Sequence, residues 1–294
     1  MHGFQSSKRT PRALLLAALA ALAAAALALS GSGEATEPAR PRVLLLDVKA
    51  PITTGTAEYI EAGLARAKSE GFQAVAIVLD TPGGHLEATR EIVQRMLASE
   101  VPIVVWVGPA GARAGSAGVF ITLAADVAAM HPASNIGAAH PVLGGGEDVE
   151  KQAGKEMARK IENDTAAFAR SIASTRGRNA DWAEKAVRES VSATAEEART
   201  LRVVDVVAPD LQAVLAFAEG RTASRTTGAQ VIHARDATVT PAEMTVRQRT
   251  LAFLSDPNVI AILMMLGTLG LALEFYNPGG IVPGALGAFF LLLA

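Results

Sequence analysis

Apolar residues in the middle of the chain follow two alternating patterns. Short, continuous apolar runs, which are typical of buried strands, cover residues 43–48, 74–79 and 102–107. Between them, residues 54–70 and 85–98 carry apolar side chains three or four positions apart, the spacing of one helix face. Strands that alternate with helices pair in parallel through right-handed crossovers. The pattern therefore predicts an α/β fold.

The alternation continues beyond these segments. The sequence predicts a helix over residues 117–125 and a short strand over residues 127–130. A further helix is expected from about Glu156, with an apolar stripe of Met157, Ile161, Phe168 and Ile172. We take residues 40–220 as the globular body, and residues 221–250, which lack clear periodicity, as a linker.

The N-terminal end of the chain has the organisation of an export signal. Three basic residues, Lys8, Arg9 and Arg12, precede an unbroken apolar run over residues 13–29, and small residues follow. This order predicts a signal peptide or signal anchor over residues 1–33, with the cleaved form favoured by the A-x-A-like segment 26–28. The basic end stays cytoplasmic, so the body is expected to be exported.

The C-terminal end is apolar as well. Asp256 and Pro257 provide a helix start, and no charge occurs over residues 259–273. After a turn at 277–280, residues 281–294 are again apolar. We expect a transmembrane region over residues 257–294 that is truncated at its end, because a chain rarely stops within a span.

The composition of the chain excludes several kinds of functional site. The chain is 50% hydrophobic and 19% charged with a net charge of −2, which excludes disorder and gives no reason to expect nucleic-acid binding. It has no cysteine, which removes disulfides, zinc thiolates, iron–sulfur clusters and cysteine nucleophiles. The five histidines show no metal-ligand spacing. We therefore expect neither a metal nor a cofactor.

Two loops follow predicted strands, where ligands gather in α/β folds. Residues 81–84 end in Gly83-Gly84, whose backbone N–H groups are free to face an anion, and Asp80 is expected to brace this loop. Residues 108–118 place Ser116 among small residues at a predicted helix start, where the helix dipole favours a developing oxyanion. Ordinary turns, with Ser116 as an N-cap, would fit the same pattern.

The segments 79–84, 111–118 and 134–141 resemble, in this order, motifs of the NfeD family of membrane-bound serine proteases in the ClpP/crotonase superfamily. The resemblance covers about residues 42–210 and implies a superhelix of repeated β-β-α units. It implies a Ser–Lys dyad endopeptidase with Ser116 as nucleophile and Lys160 as general base. Gly84 and Ala117 match the N–H donors of the oxyanion hole.

The same resemblance implies substrates and location. Members of the family cut hydrophobic segments, notably in stomatin-like membrane proteins, and assemble as dimers or larger oligomers. We therefore expect a stomatin-like substrate or partner, and a protease body on the extracytoplasmic side of the inner membrane. Two rival functions remain open: an acyl-CoA enzyme of the crotonase type, and a non-catalytic scaffold that binds a stomatin-like protein.

Alternatives also remain for the site. A lysine acts as a base only when neutral, and Asp164, four residues after Lys160, would keep the amine charged by pairing with it. Lys151 and Lys155 are alternative bases. Chain order also permits a triad of Ser116, His140 and Asp126.

Overall fold

The computed structural model describes residues 40–142, 154–225, 228–276 and 281–294. The predicted signal segment, residues 1–33, and the alternative base Lys151 lie outside the described residues. The strands, in chain order, are β1 (Arg42–Val48), β2 (Ala74–Leu79), β3 (Ile103–Val107), β4 (Arg113–Gly115), β5 (Val127–Met130), β6 (Asn135–Gly137), β7 (Ser192–Thr194), β8 (Val206–Val207), β9 (Thr222–Arg225), β10 (Gly228–Val231) and β11 (Thr238–Ala242).

The helices alternate with these strands as predicted. In chain order they are α1 (Thr54–Ser69), α2 (Leu86–Ala98), α3 (Ala117–Ala124), α4 (Lys155–Thr175), α5 (Ala180–Arg188), α6 (Ala195–Thr200), α7 (Leu211–Ala218), α8 (Val246–Leu254), α9 (Pro257–Tyr276) and α10 (Ile281–Leu293). Thr53 caps α1, its side chain accepting a hydrogen bond from the Thr56 N–H.

A parallel sheet forms the centre of the body, with the strand order β11-β1-β2-β3-β5-β8. Every residue of β2 and β3 is buried, which explains why these strands are continuous apolar runs in the sequence. Successive side chains face opposite sides: Leu44 and Ile77 pack under one set of helices, and Val43 and Trp106 pack on the other side near α7. The predicted α/β class is confirmed.

A smaller sheet lies at the carboxyl ends of the central strands. β4 pairs with β6 in parallel, and β6 pairs with β7 in the antiparallel direction. An isolated bridge between Thr81 and Ala114 joins β4 to the loop after β2. The small sheet therefore places the start of α3 beside that loop.

The linker predicted over residues 221–250 is wrong, because most of this stretch is folded. β9 and β10 pair in the antiparallel direction, and β11 adds to the central sheet next to β1. The Tyr59 hydroxyl donates to the Ala242 carbonyl at 2.8 Å and accepts the Asp47 N–H at 3.1 Å, and burial raises the pKa of this tyrosine. β11 escaped prediction because it is a largely exposed edge strand that contains Pro241 and has no apolar run.

Helix α8 packs closely against α1. A Cβ atom at Gly55 would lie 2.3 Å from the Ala252 amide nitrogen, so only glycine permits this approach. The Gln248 side chain is buried and donates to the Glu58 carbonyl at 3.3 Å, and Arg247 pairs with the Glu58 carboxylate at 3.0 Å. The segment just before the apolar C-terminal region is thus part of the body.

The C-terminal region contains two apolar helices. α9 has 20 residues and a mean hydropathy of 2.0, so its length and composition suit a membrane span. α10, which contacts α9, has 13 residues and is shorter than a span requires. Within the described residues, α9 is thus the one candidate membrane span.

Candidate active site

The loop after β2 is held by the strand that leads to Ser116. The Thr81 N–H donates to the Arg113 carbonyl at 2.8 Å, and the Gly115 N–H donates to the Thr81 carbonyl at 3.0 Å. Asp80 accepts the Arg113 N–H at 3.0 Å, so it braces the loop as predicted. The next residue after this ladder is Ser116.

The other side of the loop is held by Ile52. Its N–H donates to the Gly83 carbonyl and its carbonyl accepts the His85 N–H, both at 2.8 Å. A Cβ atom at Gly84 would lie 2.0 Å from the Ile52 carbonyl oxygen, and one at Gly83 would lie 2.7 Å from Ser116 Cβ. The double glycine is therefore required sterically, because it is pressed between Ile52 and Ser116.

Ser116 has an uncommon backbone conformation. It occupies the N-cap position of α3 with φ +46° and ψ −105°, and its N–H donates to the Gly137 carbonyl at 3.1 Å. Its side chain makes no capping hydrogen bond, so the simple N-cap interpretation does not explain the residue. A strained turn that presents an unused hydroxyl at a helix start is typical of a nucleophile.

Two unused N–H groups belong to residues that directly follow Ser116 and its spatial neighbour Gly83. Ala117 is the first residue of α3, and Gly84 follows Gly83, which contacts Ser116. Among the described residues, neither the Gly84 nor the Ala117 N–H has a hydrogen-bond acceptor. Both groups remain available to an anion, and Ala117 adds the positive end of the α3 dipole.

Lys160 lies on the exposed second turn of α4. It lines a shallow surface pocket of about 490 Å³ together with Glu156, Met157 and Asn163. No hydrogen bond joins its amine to Ser116 within the described part of the chain. Lys155, the alternative base, is the exposed first residue of the same helix.

The apolar stripe predicted on α4 is buried only in its second half. Met157 is 47% exposed, whereas Ile172 is 1% exposed. Phe168 stacks on Phe120 of α3 with ring centroids 5.5 Å apart, which ties the helix of Lys160 to the helix of Ser116. The structure thus brings the two helices together, but in the described residues no hydrogen bond joins the two predicted catalytic side chains.

Asp164, which the sequence offered as an ion-pair partner of Lys160, has another partner in the structure. Asp164 forms an ion pair with Arg90 of α2. The Arg90 guanidinium also lies 4.4 Å from the centroid of the Phe168 ring. Asp164 is therefore not the partner of Lys160.

The alternative triad has no support in the geometry. The His140 ring nitrogen Nδ1 lies 3.0 Å from the Val187 carbonyl oxygen. Asp126 forms an ion pair with Arg176 at 2.8 Å and accepts the Ile103 N–H at 2.7 Å. Both side chains therefore have structural partners outside the proposed triad. In the described residues, no cluster of histidine and carboxylate groups could hold a metal ion.

Comparison with known proteins identifies the family. A profile for the N-terminal domain of NfeD1b matches residues 42–242. The chain belongs to the NfeD family. Over 256 residues, it is 34% identical to the membrane-bound protease PH1510 of Pyrococcus horikoshii, covering 86% of this chain and 57% of that protein. The chain spans little more than half the length of the curated relatives it matches.

Solved structures match this NfeD chain over the body. One is a lysine-to-alanine mutant of 1510-N, a membrane-bound stomatin-specific protease, in complex with a substrate peptide. It has a TM-score of 0.66 and 31% identity, and covers 74% of this chain and 99% of that chain. Another is a serine-to-alanine mutant of that protease, with a TM-score of 0.64, 33% identity, and coverage of 70% and 100%. The α/β fold is therefore shared with this NfeD protease.

Sequence reasoning missed two residues that build the site of this NfeD chain. Ile52 positions Gly83-Gly84 through backbone groups alone, so no side-chain pattern could have indicated it. Thr81 is fully buried, and its hydroxyl lies 3.1 Å from the Gly83 carbonyl oxygen and 3.2 Å from the Gly83 nitrogen. A threonine before Pro-Gly-Gly was a visible signal, since such hydroxyls stabilise turns.

Proposed function

We propose that this chain is a membrane-bound serine endopeptidase with Ser116 as nucleophile and Lys160 as general base. The observation that carries the proposal is Ser116 itself. Its hydroxyl makes no hydrogen bond to any residue that the structure describes, its φ is +46°, and it is packed against Gly83 at a helix start. Such strain persists only where the surrounding structure enforces it, and it is concentrated at active sites.

The reaction uses the groups around this serine. Neutral Lys160 accepts the hydroxyl proton as Ser116 Oγ attacks the peptide carbonyl carbon. The Gly84 and Ala117 N–H groups bind the oxyanion, and the protonated lysine returns its proton to the leaving amine. Water then hydrolyses the acyl-enzyme. Substrate must bring the amine and the hydroxyl together, because hydrogen bonds of catalytic groups often tighten only when substrate binds.

The substrate class follows from the relatives and from the site. The 1510-N protease is described as specific for a stomatin homologue, so we assign apolar segments of stomatin-like membrane proteins to this chain. Ala114, Gly115, Ala117 and Gly118 surround Ser116 with small side chains, which leaves room for apolar residues of a substrate. The proposal includes a ClpP/crotonase-like superhelix, a dimeric or larger assembly, and a body on the extracytoplasmic side.

A cleavage assay tests this function. The full chain in detergent micelles would be incubated with a peptide that copies the apolar C-terminal segment of a stomatin-like protein. We expect Ser116→Ala and Lys160→Ala each to reduce kcat by about a thousandfold or more. The matched control is Lys155→Ala, which removes a lysine from the same helix and should cut at the wild-type rate.

Other outcomes would contradict parts of the proposal. Cleavage by Lys160→Ala together with loss in Lys155→Ala would assign the base to Lys155. Cleavage by Ser116→Ala would exclude this serine as nucleophile. If neither the wild type nor any variant cuts, while all four proteins give the circular dichroism spectrum of a folded chain, the scaffold function replaces the protease.

A further inference from the structure

The helix that carries Lys160 is rich in carboxylates. The helix has three carboxylates, and all three lie within four residues of this lysine. Each is bonded to an arginine: Glu156 to Arg159, Glu162 to Arg188, and Asp164 to Arg90. A lysine that must lose its proton therefore has nearby carboxylates that are already paired.

The Asp164 pair differs from the others in its geometry. Asp164 follows Lys160 by four residues, so the two side chains share one face of α4. Its partner Arg90 comes from α2, the helix that begins just after Gly84-His85. Arg90 also stacks on Phe168, one turn after Asp164. One guanidinium thus contacts two successive turns of α4.

We propose that Arg90 is a positioning residue for Lys160. This proposal rests on the proposed function, in which Lys160 is the general base. Arg90 holds the Asp164 carboxylate so that it does not pair with the Lys160 ammonium. Through Phe168, which stacks on Phe120, it also fixes α4 against α3. Arg90 therefore links the three elements that carry the glycine loop, the serine and the lysine.

Removing the Arg90 guanidinium should change the protonation of the Lys160 amine in one direction. The released Asp164 would pair with Lys160 and favour the charged amine, so a higher pH is needed to obtain the neutral form. The Asp164 side chain is 68% exposed, which limits the effect. We expect a shift of about 0.3 pH unit, or about half as much neutral amine at a given pH.

The other charged groups around Lys160 do not change with this substitution. α3 contributes none, because all its side chains are uncharged. α5 contributes Arg188, which is bonded to Glu162. α2 contributes Glu87, Glu91 and Arg95, which line the groove beside Arg90. On α4 itself, the remaining groups are Lys155, Glu156, Arg159 and Arg170, the last of which is paired with Glu184.

The test measures the neutral fraction of the Lys160 amine directly. The full chain in detergent micelles would be acetylated competitively with acetic anhydride across a pH range, and labelling at Lys160 quantified by mass spectrometry. The variants are Arg90→Gln, Arg90→Lys, and Arg90→Gln combined with Asp164→Asn. Arg95→Gln is the matched control, since Arg95 lies on the same helix and pairs with Glu61 at 3.0 Å.

We expect the labelling midpoint of Arg90→Gln to rise by about 0.3 pH unit. Arg90→Lys and the double variant should return it to the wild-type value, and Arg95→Gln should not move it. A purely structural role would not be rescued by the double variant, because that variant also lacks the ion pair. An unchanged midpoint in Arg90→Gln would overturn the proposal.

Labelling does not depend on proteolysis, so the two proposals can fail separately. A wild-type chain that cuts no peptide while Arg90→Gln shows the shift would contradict the protease and leave the role of Arg90 intact. Normal cleavage with no shift in Arg90→Gln would support the protease and contradict the role of Arg90.

Discussion

Ser116 stores strain in its backbone. A residue with a side chain at φ +46° and ψ −105° costs about 1–3 kcal/mol relative to a relaxed conformation. The cost is sustained by contacts on both sides: the Ser116 N–H is bonded to Gly137, and its Cβ is packed against Gly83. Contacts with Gly137 and Gly83 therefore hold Ser116 in a strained conformation at the centre of the site.

This strain predicts different stabilities for two substitutions at Ser116. Ser116→Gly should raise the free energy of unfolding by about 1 kcal/mol, because glycine adopts positive φ without strain and part of the gain is lost to chain entropy. Ser116→Ala keeps the Cβ atom and should not stabilise the protein. Urea denaturation followed by circular dichroism compares them. A glycine variant no more stable than the alanine variant would show that the strain is absent.

Single residues were predictable where the task requires one residue type, such as a carboxylate, a hydroxyl or a glycine. Asp80, Gly84 and Ser116 stand in loops after strands, and the structure places all three at one edge of the sheet. Ile52 was not predictable, since it acts through its N–H and carbonyl. The position of Lys160 relative to Ser116 was not predictable either, because it depends on how α4 packs.

At the scale of elements, the site depends on the packing of α3 against α4. Phe120 is 2% exposed and stacks on Phe168. This contact is the aromatic link between the helix that begins at Ser116 and the helix that carries Lys160. Loss of the ring would leave a cavity between them.

We therefore expect Phe120→Ala to lower the free energy of unfolding by about 3 kcal/mol. It should also reduce peptide cleavage, because α4 loses its support. Phe253→Ala is a suitable control: this ring on α8 is 62% exposed, and its removal should change stability by no more than about 0.5 kcal/mol. Thermal unfolding of the variants, with equal losses in both, would contradict the role of the stack.

Elements were predictable in proportion to their burial. β2 and β5 have the predicted bounds, because each is an apolar run buried on both faces. β11 was read as linker, because its pattern is largely exposed and polar. The first turns of α4 were expected to be partly buried, yet Met157 is exposed. Amphipathic spacing alone does not reveal where along a helix its partner ends.

At the scale of the whole molecule, β11 closes one edge of the central sheet. Without it, the N–H and carbonyl groups of β1 that face β11 along residues 42–46 would lose their partners, whereas those that face β2 would keep theirs. Apolar edges of this kind pair with other chains. The body therefore includes residues 238–242, beyond the boundary expected at Gly220.

Two truncated chains test this boundary. A chain of residues 40–237 lacks β11 and should aggregate, whereas a chain of residues 40–254 retains β11 and α8 and should remain in solution. Light scattering of the two proteins at equal concentration measures the difference. If the shorter chain stays dispersed and folded, β11 is not needed to protect the edge.

The packing of α8 against α1 also limits the distance between the body and the candidate membrane span. α8 ends at Leu254 and α9 begins at Pro257, so only Ser255 and Asp256 separate the body from the candidate span. Two residues reach at most about 7 Å when fully extended. Over a bilayer, the cleft would work at a nearly constant height, and the bond that it cuts would be selected by distance from the lipid surface as much as by the side chains around it.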